Sequence, residues 1–111
     1  MCLLFFELMN YNKLVRDKIP QMIRDATPIV HVADDVEYEA ALRRKLHEEV
    51  DEFLDEPSVE EAADVLEVMR ALCAFRNVDV SGLEDVRMQK AKKRGGFAGR
   101  IILDRTEELR S

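Results

Sequence analysis

Two stretches of helical periodicity, separated by a turn around Pro57, constrain this sequence more than any other feature. Asp34 is followed three residues later by Glu37, and Ser58 by Glu61. Each pair is a capping signature that opens a helix. The first long helix is expected from Asp34 or Asp35 to about Leu54, ending before Pro57, whose ring cannot continue it. The second is expected from Ser58 to about Arg76. A turn confined to residues 55–58 makes the two helices antiparallel neighbours.

The remaining elements are shorter. Residues 11–26 suggest a short helix, with Pro20 tolerated in its first turn. Ser81-Gly82-Leu83-Glu84 reads as a further capping box, opening a helix to about Lys93 that Gly95-Gly96 stops. The apolar runs 27–33 and 97–103 read as short strands, with 29–32 expected to pair with 99–103. The expected fold is therefore an all-α helical bundle: two long antiparallel helices, shorter helices and one small two-strand pairing. The 111 residues suit one domain over 1–111. Residues 1–10 are expected to be an N-terminal extension, with a short apolar strand as the other reading of 1–8. Residues 104–111 are expected to fray.

Composition narrows the class. Charged residues make up 36% and hydrophobic ones 47%, with 4 Gly and 3 Pro, which excludes disorder and collagen-like or low-complexity sequence. Cys2 and Cys73 form neither a CxxC nor a zinc pattern, so a reduced, cytoplasmic protein is expected. Residues 1–6 are apolar but have no basic region or cleavage site and are too few to span a bilayer, so no membrane partner is expected.

The net charge of −6 is unevenly spread. Residues 34–64 hold 13 acidic and 3 basic residues. Residues 87–100 hold six basic ones and no acidic one. An acidic stretch suits a cation and a basic one suits phosphates, although solvated helix faces of opposite sign would look the same. Nucleic acid is not an expected partner. The chain is acidic, and only Phe97 lies near Lys90–Arg94 to stack on a base.

At 100° per residue, Tyr38, Leu42, Leu46, Val50 and Phe53 form one apolar stripe of the first long helix. Glu49 lies inside that stripe, where a leucine is expected. Glu52 and Lys45 sit at its edge, and Glu48 one step further out. On the second helix Ala62, Val65, Leu66, Val68, Met69, Leu72, Cys73 and Phe75 cover about half the circumference. Glu61 falls within that arc and Asp64 at its border. Two acidic pairs spaced i, i+3, Glu49-x-x-Glu52 and Glu61-x-x-Asp64, should thus approach each other across the turn. Four ionised carboxylates crowd together only with a cation or with raised pKa values. A hard cation such as Mg²⁺ fits oxygen ligands and leaves room for substrate phosphates. Structural explanations exist beside this one: Glu61 is the third residue of a capping box, Glu52 can be solvated, and Lys45 can pair with Glu49 one turn on. His31 and His47 read as strand and helix-surface residues, and no Glu-x-x-His pair points to di-iron. No EF-hand, P-loop, GxGxxG or GxSxG motif is present.

The residues Lys45-Leu46-His47-Glu48-Glu49-Val50-Asp51-Glu52, followed by Glu61-Ala62-Ala63-Asp64-Val65-Leu66, resemble the ExxE…ExxD signature of the MazG-like all-α nucleotide pyrophosphohydrolases. Tyr11-Asn12-Lys13-Leu14-Val15-Arg16-Asp17-Lys18-Ile19-Pro20 and Arg94-Gly95-Gly96-Phe97 resemble a short branch of that superfamily, the phosphoribosyl-ATP pyrophosphohydrolase-like proteins. The resemblance implies hydrolysis of the α–β phosphoanhydride of a nucleoside triphosphate or related nucleotide, with Mg²⁺ or Mn²⁺. Glu49, Glu52, Glu61 and Asp64 would be the metal ligands, and Glu48 would orient or deprotonate the attacking water. Lys13, Arg16, Lys90, Lys93 and Arg94 are the cations for the substrate's phosphates, with Lys45 catalytic or structural and Asn12 touching base or phosphate. Gly95-Gly96 would admit a phosphate to the backbone, or simply cap a helix. The resemblance further implies a homodimer or homotetramer, and the wide apolar arc of the second helix points the same way. Only eight residues separate Glu52 from Glu61, fewer than in many such proteins. The reading from another class is a non-catalytic helical interaction module that keeps the fold.

Overall fold

A computed structural model describes residues 12–109. The expectations for residues 1–11 lie outside them. The chain divides between Val78 and Asp79 into two compact units. The first carries α1 (Ile19–Met22), α2 (Asp35–Asp55) and α3 (Val59–Phe75); the second carries α4 (Leu83–Arg94). Among the described residues all regular structure is helical.

The long helices begin where their caps dictate. Asp34 Oδ1 accepts the Glu37 backbone N–H at 2.9 Å, and Ser58 Oγ accepts that of Glu61 at 3.1 Å. Each bond satisfies a donor left without a partner in a first helical turn. α2 stops at Asp55, two residues before Pro57. α3 ends in a Schellman motif: Val78 N–H donates to the Cys73 carbonyl at 2.8 Å and Asn77 N–H to that of Ala74 at 3.2 Å. Asn77, at φ +59°, supplies the left-handed residue this motif needs.

α2 and α3 form the expected antiparallel hairpin, and side-chain pairs fix its register. Near the open end, the Tyr38 and Phe75 rings meet edge to face with centroids 5.4 Å apart. Arg76 Nη1 donates to Glu39 Oε1 at 3.2 Å, and Arg43 reaches the same carboxylate from one turn along α2. Near the turn, Val50 and Phe53 of α2 and Ala62 and Val65 of α3 line an open apolar recess of about 160 Å³. Leu42 is the centre of the packing, 1% exposed, with Ala41 and Glu49 also buried. The rest of the expected α2 stripe (Tyr38, Leu46, Val50 and Phe53) is half-buried. α3 buries no residue fully; Val65, Val68, Met69, Leu72, Cys73 and Phe75 are half-buried, and Ala62 and Leu66 are exposed.

Two expectations are corrected. The segments 27–33 and 97–103 are irregular, and the pairing of 29–32 with 99–103 is absent. Ile29 is 92% exposed and Phe97 99%. β-branched composition favours a strand only where a pleated surface receives the side chains, and neither run has one here. The capping box proposed at Ser81 is also absent. Gly82 is the N-cap of α4 and makes no side-chain bond, while Ser81 N–H donates to Asp79 Oδ1 at 2.9 Å. Asp79 thereby closes the turn itself, and those bonds from Ser81 hold its carboxyl below the ordinary value. Glu84 pairs instead with Arg87. α4 ends as expected: Gly95, at φ +87°, donates its N–H to the Ala91 carbonyl at 2.8 Å.

Candidate metal centre

The antiparallel register brings Glu49 of α2 against Glu61 and Asp64 of α3. One carboxylate oxygen from each lies within 4.8 Å of the others. Glu49 is 7% exposed, and Glu61 and Asp64 are half-buried. Two unit charges at such a separation repel by about 3 kcal/mol at an effective dielectric near 20, so three ionised carboxylates need compensation. Lys45 supplies part of it, its Nζ standing 3.4 Å from Glu49 Oε1 and 3.9 Å from Glu48 Oε1. Arg16 Nη2 donates to Asp64 Oδ1 at 2.8 Å.

Two oxygens remain unanswered. Glu49 Oε2 and Glu61 Oε2 are buried and have no hydrogen-bond partner among the described residues. A buried carboxylate oxygen without a partner costs more than the same oxygen in water. The donor set is hard, anionic and all-oxygen, which fits a Mg²⁺ or Mn²⁺ ion and does not fit a thiophilic metal.

Glu52, the fourth residue expected as a ligand, is exposed and adjoins Glu49 at the edge of this group. It still feels the site. The Glu49 charge, then desolvation, then a hydrogen bond shared with Glu49, and last the charges of Glu61 and Glu48 raise its carboxyl above the ordinary value.

The segment before α1 lies against α2. Lys13 Nζ donates to Glu48 Oε1 at 3.2 Å, bridging 35 positions of sequence. Asn12, at φ +45°, Lys13, Lys45 and Glu48 line a cleft of about 260 Å³. Ala41, Arg44, Lys45 and Glu48, spaced i, i+3, i+4 and i+7, form its helical wall. The sequence reading missed Arg44, though this spacing was the signal that would have found it. It also missed that Arg16 meets Asp64, which no local pattern announces.

Lys90, Lys93 and Arg94 lie on α4 in the second unit, near or within its last turn, and pair with no acidic group among the described residues. His47 is exposed on α2. His31 is not in a strand; its Nε2 lies 2.8 and 2.9 Å from the two Glu37 carboxylate oxygens. No helix among the described residues is long and apolar enough to cross a membrane.

No family model matches the chain, and no solved structure matches it. A curated protein of Mycolicibacterium smegmatis (strain ATCC 700084 / mc(2)155), described only as uncharacterized, is 52% identical over 43 residues. That match takes in 37% of this chain and 44% of the other, less than half the relative's length.

Proposed function

We propose that this chain is a Mg²⁺-dependent nucleotide pyrophosphohydrolase, cleaving the α–β phosphoanhydride of a nucleoside triphosphate or related nucleotide to the monophosphate and pyrophosphate. The observation that carries this reading is the convergence of Glu49, Glu61 and Asp64 with two buried oxygens left without partners. The resemblance to MazG-like enzymes agrees with it and is the source of the reaction class.

Glu49, Glu61 and Asp64 would hold the ion, with Glu52 beside them as the remaining carboxylate. A bound divalent cation neutralises phosphate charge and polarises the anhydride. The rest is work for the chain's own side chains. Glu48 is exposed enough to reach water, and the lysines at 3.2 and 3.9 Å fix its carboxylate in place. It orients the attacking water and takes its proton as the new P–O bond forms and the anhydride P–O bond breaks. The bond electrons leave on pyrophosphate. Lys13 and Arg16 turn from Glu48 and Asp64 to the phosphate oxygens, and Asn12 contacts base or phosphate. Lys45 balances Glu48 and Glu49 throughout. Lys90, Lys93 and Arg94 rest on the resemblance alone.

The half-buried apolar arc of α3 supports a homodimer or homotetramer, since one helix of its own chain leaves that face uncovered. A cytoplasmic setting accords with the free Cys73. The test is pyrophosphate release from a panel of NTPs, dNTPs and phosphoribosyl-ATP, with and without Mg²⁺. Release with one of them, dependent on Mg²⁺, is the expected result. Release from none would favour the non-catalytic helical module.

A further inference from the structure

We infer that the cleft between residues 12–14 and α2 is a pyrophosphate-binding subsite, and that Arg44 is its principal ligand. This rests on the proposed function for the identity of the anion, because pyrophosphate is the fragment such a reaction releases. The cleft itself rests on geometry. Lys13, Arg44 and Lys45 bring three cationic side chains to one cavity, against the single carboxylate of Glu48. Those charges are not equally committed. Lys13 and Lys45 both pair with Glu48, and Lys45 also with Glu49. Arg44 pairs with no carboxylate among the described residues, whereas its neighbour Arg43 is held by Glu39 at 2.8 Å.

An uncommitted guanidinium at the rim of a cationic cleft is an anion ligand in waiting. Its planar fork matches two phosphate oxygens, which an ammonium cannot do. Size agrees with a small fragment. At about 260 Å³ the cleft falls short of the roughly 300–1,000 Å³ that enclose a drug-sized molecule. It suits a phosphate tail and leaves the nucleoside outside. Glu48, shared between this cleft and the carboxylate group through Lys45, sets the subsite directly beside the proposed reaction centre.

The test is calorimetric titration of the full chain with inorganic pyrophosphate in metal-free buffer, which needs no turnover and no ion. Arg44→Ala should weaken binding about tenfold, the scale of one lost charge-assisted hydrogen-bond pair. Arg44→Lys should recover part of that loss, because the charge returns without the fork. Arg43→Ala removes an equal charge next to the cleft and should stay within about twofold of the wild type. Arg44 is exposed, so these variants should keep the helical circular-dichroism spectrum of the wild type. The inference is overturned if the wild type does not bind, if Arg44→Ala binds as the wild type does, or if Arg43→Ala loses as much. Arg44-dependent binding in a chain that hydrolyses no nucleotide would retire the hydrolase reading and leave the subsite standing. Hydrolysis with pyrophosphate binding indifferent to Arg44 would do the reverse.

Discussion

The α2–α3 hairpin and α4 are built from similar helix-forming residues, yet they hold their charges differently. In the hairpin both helices start on a side-chain cap, and one carboxylate, Glu49, is buried within the apolar stripe of α2. α4 starts on Gly82 without a side-chain cap and has no buried residue. Its acidic residues lie in the first turn, and Lys92, Lys93 and Arg94 lie in the last, the order the helix dipole prefers. Charge along α4 thus follows the local rule for a solvated helix. Charge along α2 breaks that rule at Glu49, and a polar residue inside a packed stripe needs a functional or structural compensation. The contrast favours the hairpin over α4 as the place of the proposed chemistry.

The sharpest way to break this contrast is Glu49→Gln. It should lower pyrophosphohydrolase turnover by about a thousandfold or more and abolish Mg²⁺ binding, while circular dichroism stays unchanged. Turnover that survives would remove the hairpin's claim to the chemistry. Next in size is Leu42→Ala, which should cost about 2–5 kcal/mol in chemical denaturation. Val86→Ala on α4 is the matched control. Val86 is 50% exposed, and its loss should stay within about 0.5 kcal/mol.

Ser58→Ala should cost about 1 kcal/mol, since the N-terminal turn of α3 loses the acceptor of the Glu61 N–H. Gly82→Ala, at a cap with no side-chain bond, should change stability less.

The smallest effect concerns pH. The hydrogen bond from Arg43 is the main cause that holds Glu39 below its ordinary value; desolvation opposes it, and the smaller contribution of Arg76 acts with Arg43. Its folded-state pKa is therefore depressed. The stability it contributes is present above the unfolded value of 4.5 and is lost as pH falls through the folded one. Arg76→Ala should flatten the acid limb of a stability–pH profile slightly. An unchanged limb would show that this exposed cluster contributes nothing.

Much of the hairpin was legible in the sequence because its determinants are local. Asp34, Ser58 and Pro57 act within a few residues of themselves, so both helix starts and the intervening turn followed directly. The position of Glu49 inside the stripe needed only the angular period of a helix. Local reasoning failed in two ways. Ser81 satisfied a motif, but Asp79 took its N–H first. Residues 27–33 and 97–103 have strand-like composition, and composition does not create a surface to pair with.

The candidate site divides along the same line. Which carboxylates each helix carries, and on which face, was readable from residue spacing, because spacing within a helix is rigid. That Glu61 and Asp64 reach Glu49 came from the tertiary structure, since it depends on the register of α2 against α3. The tertiary structure alone brought Lys13 to Glu48 and Arg16 to Asp64, across 35 and 48 positions. Contacts at such separations are set by how two packed surfaces mesh, and no local period records that.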